Sequence, residues 1–221
     1  MNFLTLLKDS LPSLLSGLWV TAQVAVISLI FAVILGIVFG ILSISTSSIL
    51  RAISAIYIYI IRGTPLIIQA LFLYFGVGQA LNVRFNPIVA AIITLSLNAG
   101  AYMSEIFRAG IQAVPVGQTE AARSLGLNYV QTMSKVIIPQ AIKIMVPSIM
   151  NQFIVTIKDT SILSVISIRE LTLSGQIIIA RNYKPFETYS IVAIMYFILI
   201  TLLTLISKGV ERKLHYGNRS K

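Results

Sequence analysis

Forty consecutive residues, Leu11 to Leu50, carry no charged side chain. A helix rises about 1.5 Å per residue and bilayer hydrocarbon is roughly 30 Å thick, so about 20 apolar residues cross it. The run exceeds that length. It is also too long for the apolar core of a signal peptide and lacks a clear small-residue cleavage site, so it is expected to remain as a span. Composition agrees: of 221 residues, 57% are apolar and 11% charged. Soluble domains carry about 25% charged residues, and a chain with so few cannot clothe a water-facing surface.

Further apolar stretches cover Ala52–Ile61 and Leu66–Val83, interrupted only by Arg62-Gly63-Thr64-Pro65, and then Phe85–Ser104, Ile144–Ile157 and Thr188–Ser207. Five transmembrane helices are expected, at Leu15–Ser43, Ile53–Leu81, Asn86–Phe107, Ile142–Thr160 and Tyr189–Lys208. The expected fold is all-α and polytopic, with residues 1–221 forming one transmembrane domain.

Lys and Arg collect on cytoplasmic ends. With the N-terminus outside, the inner side receives Arg51, Arg62, Arg108, Arg123, Lys135, Lys143, Lys208, Arg212, Lys213, Arg219 and Lys221, eleven of the 17 basic residues. The outer side keeps Lys8, Arg84, Lys158, Arg169, Arg181 and Lys184. A cytoplasmic C-terminus follows, and the basic tail from Lys208 to Lys221 is expected against anionic lipid of the inner leaflet. The net charge of +10 reads as topology. The basic residues flank spans and do not interleave with exposed aromatics, so no nucleic-acid partner is expected.

Catalytic chemistry has few residues to work with. Cysteine is absent, and the one histidine, His215, lies beyond the last span. No His-Glu-x-x-His and no Gly-x-x-x-x-Gly-Lys-Ser/Thr phosphate loop occurs, so no metal, catalytic residue or cofactor is expected, and the chain has no such route to ATP. Transport, channel and scaffold roles remain.

The longest segment that is not a span lies between spans three and four. Pro115 can open a helix, Gly126 can end it in a left-handed conformation, and Asn128 can cap a second helix running to Pro139. Ala121 and Ala122 give a small-residue surface beside Glu120, suited to close docking. Such a pair of helices also suits an ordinary interfacial loop.

The string itself is more informative: Glu120-Ala121-Ala122, three residues, Gly126, nine residues, then Val136-Ile137-Ile138-Pro139. It resembles the EAA loop of ABC importer membrane subunits, departing from the usual Ile-x-Leu-Pro ending only by apolar exchanges. Arg62-Gly63-Thr64-Pro65-Leu66, the run Asn98 to Ile111, and Lys158-Asp159-Thr160-Ser161 look like signatures of the polar amino acid (histidine, glutamine, arginine) permease subfamily. With the five spans, the resemblance covers nearly the whole chain.

That resemblance implies a type I ABC importer permease fold in a bacterial cytoplasmic (inner) membrane. It further implies a second permease copy, identical or related, two separate ATP-binding cassette ATPase subunits that bind and hydrolyse ATP, and an extracytoplasmic substrate-binding protein. Residues 115–139 become the cytoplasmic coupling segment, with Glu120, Ala121, Ala122 and Gly126 as the ATPase contact. A dimeric passive channel or an ion-coupled amino acid carrier is the alternative, and it leaves the EAA string unexplained.

Within the spans, Asn98, Tyr102 and Glu105 share one helical face, and Ser148, Gln152, Thr156 and Asp159 another. They either hydrogen-bond between helices or line a substrate path. On the second reading Asn98, Tyr102, Gln152, Thr156, Asp159, Thr160 and Ser161 bind substrate. Asp159 would pair with an ammonium or a cationic side chain, which tilts the expectation toward arginine, lysine or histidine. Glu105 is expected to pair with Arg108 at i, i+3. Arg62 is either an interfacial anchor or, with the helix-kinking Pro65, a gate or hinge. Gly36 and Gly40 form a Gly-x-x-x-Gly packing pair.

Overall fold

A computed structural model describes residues 3–216, and all its regular elements are helical. Arg219 and Lys221, expected at the inner end, lie outside the described residues, as does the side chain of His215.

Helix α1 runs Phe3–Ser43, twelve residues earlier than expected. The early turns are helical because they bury a face: Leu6 and Leu14 pack on Leu171, Ile191 and Val192. Helix α2 covers Ser48–Arg62 and α3 covers Leu66–Ala80, and the two meet at an angle of 101°. The kink expected at Pro65 is thus a full break, and the second span is two legs. Gly63 to Pro65 interrupt the helix because proline supplies no N–H and disfavours the α-conformation in the residue before it.

Helix α4, Pro87–Gln112, starts with Asn86 capping the Ile88 N–H at 2.9 Å. Helix α5 is Val116–Ser124. Helix α6 continues from Tyr129 to Ile166, 38 residues, so the second coupling helix does not stop at Pro139 but runs into span four. A π-helical turn at Met133–Ile137 precedes Pro139 and accommodates the missing donor. Beyond Asp159 the helix tightens to a 3₁₀ form over Thr160–Ile166. Helix α7, Leu171–Asn182, was not anticipated, and α8 runs Pro185–Tyr216.

Four helices, α1, α4, α6 and α8, are long and apolar enough to cross a membrane, and the bent pair α2–α3 makes a fifth crossing. Contacts give the directions. Gly36 faces Met103 and Phe107, Gly40 faces Phe107 and Ser104, and the Ser96 hydroxyl donates to the Ser28 carbonyl at 3.3 Å, so α1 and α4 are parallel. On α6, Met145 sits on Gly110 while Asp159 shares a cavity with Asn98, so α6 is antiparallel to α4. Helix α3 also runs back along α4, from Gln69 beside Asn98 to a core with Ala90, Ala91 and Leu95. The two ends of the described chain thus lie at opposite ends of the bundle.

Helix α4 is the hub: 61% of its apolar window is buried, against 17% for α6 and α8. Alanine, glycine and serine bring its backbone close to α1, the approach that favours helix association where no hydrophobic effect acts. A Cβ on Gly36 would crowd the Met103 Cβ and come within 3.0 Å of the Phe107 ring. Gly36→Val is expected to destabilise the protein by about 1–3 kcal/mol of overpacking. Thermal unfolding in detergent checks this, with Gly209→Ala as the control that should not destabilise, because its Cβ meets nothing within 4 Å and alanine favours the helix.

Candidate functional site

A helix that ends inside an apolar bundle exposes its last carbonyls, and each must find a donor. At the end of α2 this is shared by Gln69, Thr64 and Gly63. The Gln69 amide, Nε2, lies 2.7 Å from the Ile61 carbonyl, 3.0 Å from the Thr64 carbonyl and 2.9 Å from the Thr64 hydroxyl. Thr64 in turn donates to the Ile60 carbonyl at 2.9 Å, and the Gly63 N–H bonds to Tyr59 at 2.9 Å. The Gln69 carbonyl oxygen accepts from Asn98 at 3.1 Å, tying the break to α4. Gln69 was missed in the sequence, although it is the lone polar residue between Leu66 and Leu73.

The break forms one wall of a cavity of about 670 Å³, lined also by Asn98, Tyr102, Gln152, Val155 and Asp159. A second cavity of about 450 Å³ shares Arg62, Tyr102 and Gln152 and extends toward the coupling segment past Glu105, Arg108 and Ser148. Four of the seven expected substrate residues are thereby brought together. Thr156 and Thr160 are almost fully buried and donate to the carbonyls of Gln152 and Ile157 at 2.9 and 2.7 Å. Ser161 donates to the Lys158 carbonyl at 2.7 Å. These three are not on the cavity wall: each hydroxyl turns back on a carbonyl of its own helix.

Charges in the cavity are separated. Glu105 accepts from Nε and a terminal nitrogen of Arg108, both at 3.0 Å, the i, i+3 pair read from the sequence. It also meets Arg62 from across the break at 3.4 Å. The Arg62 guanidinium lies 5.2 Å from the Tyr102 ring centre, within cation–π range. Arg62 therefore sits beside the second half of α4, next to Pro65 at the bend. Two arginines share one carboxylate, so the cluster keeps an excess positive charge. Asp159, half-buried, has no hydrogen bond and no ion pair within 4 Å among the described residues, and its sequence neighbour Lys158 is the charge that acts on it.

In the coupling segment, Gly126 adopts φ +83°, the left-handed state glycine enters at least cost. Asn128 forms a reciprocal capping box with Gln131, at 2.9 and 3.0 Å. Glu120, Ala121 and Gly126 are exposed, but Ala122 is buried, 4% exposed. The structure thus corrects the expected small-residue surface: Ala122 faces the protein's own helices. Exposed instead are Val116, Leu125, Tyr129 and Val130, at 72%, 82%, 62% and 71%.

Replacing Gln69 by Met keeps its length but removes the donor to two carbonyls and the acceptor for Asn98. Of these partners Asn98 is buried, and a buried polar group left unsatisfied costs about 1–3 kcal/mol. Gln69→Met is expected to lower the unfolding temperature more than Gln79→Met, at a residue outside this network.

Comparison with known proteins places the whole arrangement. Residues 32–216 match the family described as binding-protein-dependent transport system inner membrane component. The chain is 40% identical to the arginine transport system permease protein ArtQ of Bacillus subtilis (strain 168), covering 92% of this chain and 93% of that one. It is 36% identical to the glutamine transport system permease protein GlnP of Escherichia coli (strain K12), covering 93% and 94%. Among solved structures, the crystal structure of an amino acid ABC transporter with histidines superposes with a TM-score of 0.91 at 37% identity, over 96% of this chain and 99% of that one. The inward-facing MetNI methionine ABC transporter shares the fold, with a TM-score of 0.78 at 21% identity over 91% and 96%. The chain belongs to the binding-protein-dependent transport system inner membrane component family, and its fold is that of the type I ABC importer permeases.

Proposed function

We propose that the chain is the permease subunit of an ATP-driven amino acid importer in the bacterial inner membrane. It works with a second permease copy, two ATPase subunits and an extracytoplasmic binding protein. The observation that carries this reading is the pairing of a charge-separated cavity at the helix break with an exposed coupling segment whose second part opens α6, the helix that also carries Gln152 and Asp159. The N-terminus is assigned to the outside and the C-terminus and residues 115–139 to the cytoplasm, from the eleven-to-six distribution of basic residues.

An α-amino acid carries a carboxylate and an ammonium, and the cavity carries Arg62 and an unpaired Asp159 on its walls. Arg62 suits the carboxylate, and Asp159 suits the ammonium or a cationic side chain; charge-assisted bonds of this kind are about twice as strong as neutral ones. Asn98, Tyr102 and Gln152 offer neutral contacts between them. A free carboxylate favours basic amino acids over acidic ones. With no phosphate loop of its own, the chain receives work through Glu120, Ala121 and the apolar side chains around them, and α6 conveys it to Asp159 as a largely rigid body.

The test is reconstitution with the ATPase and binding protein, comparing labelled arginine, histidine, glutamine and glutamate. Uptake that requires ATP and favours arginine over glutamate is expected. Asp159→Asn is expected to reduce arginine uptake about tenfold or more relative to glutamine, the scale of one lost charge-assisted contact. Uptake by the chain without ATPase or ATP would instead establish a passive channel or an ion-coupled carrier.

Docking is tested separately. Glu120→Lys and Leu125→Glu are expected to abolish co-purification with the ATPase while the permease still folds, since both positions are exposed. Undiminished co-purification would remove the coupling role of this segment.

A further inference from the structure

Glu170 is 1% exposed and stands at the N-terminus of α7, outside both cavities. Burial raises the affinity of its carboxyl for a proton, and hydrogen bonds from Thr172, Leu173 and Tyr196 oppose that rise. One oxygen accepts from the Leu173 N–H at 2.7 Å, and the other from the Thr172 N–H at 2.8 Å and the Tyr196 hydroxyl at 2.9 Å. Capping alone does not need this residue. Aspartate, serine or threonine caps a helix well, but only the longer side chain here also spans to α8.

The backbone around Glu170 is held just as closely. Its carbonyl would lie 2.9 Å from a Cβ at Gly17 of α1, so only glycine permits that approach. The next N–H, of Leu171, donates to the Thr21 hydroxyl of α1 at 3.2 Å, and Arg169 donates to Ser13 at 3.2 Å. Gly175 packs on Val192 of α8. Three helices, α1, α7 and α8, therefore converge on this residue, at the end of the bundle opposite the coupling segment. The chain between it and Asp159 has no slack: a 3₁₀ turn, left-handed Ser167 at φ 65°, and buried Ile168.

We propose that Glu170 is a positioning residue for translocation: it pins α7 and α8 to α1, so that motion imposed at the coupling segment pivots there and reaches Asp159. Without the pin, α8 slides against α1 and part of the stroke is lost. The inference rests on the importer reading, and the two fail differently.

The experiment measures labelled arginine imported per ATP hydrolysed by the full reconstituted transporter. Glu170→Asp keeps a cap for α7 but withdraws from Tyr196, and Tyr196→Phe removes the same contact by deleting one hydroxyl, together with that hydroxyl's 3.2 Å bond to Thr172. Both variants are expected to hydrolyse ATP yet import about threefold less arginine per ATP, a shift within the range by which residues between sites alter coupling. The double variant should be no worse than either alone. A purely structural role would lower yield or melting temperature and leave the ratio unchanged. A wild-type ratio in Tyr196→Phe, which loses no bulk from the core, overturns the proposal even if Glu170→Asp fails to assemble. Absence of ATP-dependent uptake in the wild type would overturn the importer reading instead.

Discussion

A bilayer offers no water to the backbone, so every N–H and C=O within it must be satisfied by the protein. In this chain that constraint bears hardest on Gly63-Thr64-Pro65, where a helix turns through 101°. Gln69 resolves it by serving the freed carbonyls and Asn98 at once. The bend then leaves Arg62 beside Tyr102 and Glu105 and opens the cavity. The site exists because a broken helix was made affordable.

Close packing supplies the frame. Gly36 and Gly40 bring α1 onto α4, and Gly110 admits the Met145 side chain from α6. With α4 held on both sides, its polar face is oriented toward the break and toward Gln152 on α6. Continuity of α6 from Tyr129 to Ile166 joins the coupling segment to the cavity wall through one element, with a π-helical turn where Pro139 would otherwise interrupt it. Geometry that transmits force and geometry that binds polar groups are thus carried on the same helix.

Much of this was legible in the residue order. Charge-free runs long enough for hydrocarbon marked the crossings, and Pro115, Gly126 and Asn128 marked the turns of the coupling segment, each for a reason local to the backbone. The Glu105–Arg108 pair followed from helical spacing alone. Less was visible wherever a residue's role depends on a distant partner. Thr156 shares a sequence face with Gln152 but bonds its own helix, and Ala122 is buried where helix α5 packs on the Met133–Ile137 turn. Helix α7 escaped notice because its twelve residues are too few for a span, and its N-terminus is defined by a buried glutamate that reads in isolation as a surface charge.

By itself the sequence determined the class: a helical membrane protein with a coupling motif, since apolar length and local turn chemistry act through neighbours along the chain. Tertiary structure alone decided that the kink at Pro65 opens to 101°, that Arg62 shares Glu105 with Arg108 while Asp159 stays unpaired, and that Glu170 joins three helices. Those are contacts between residues up to about 150 positions apart, and their existence depends on which helices lie side by side and in which direction they run.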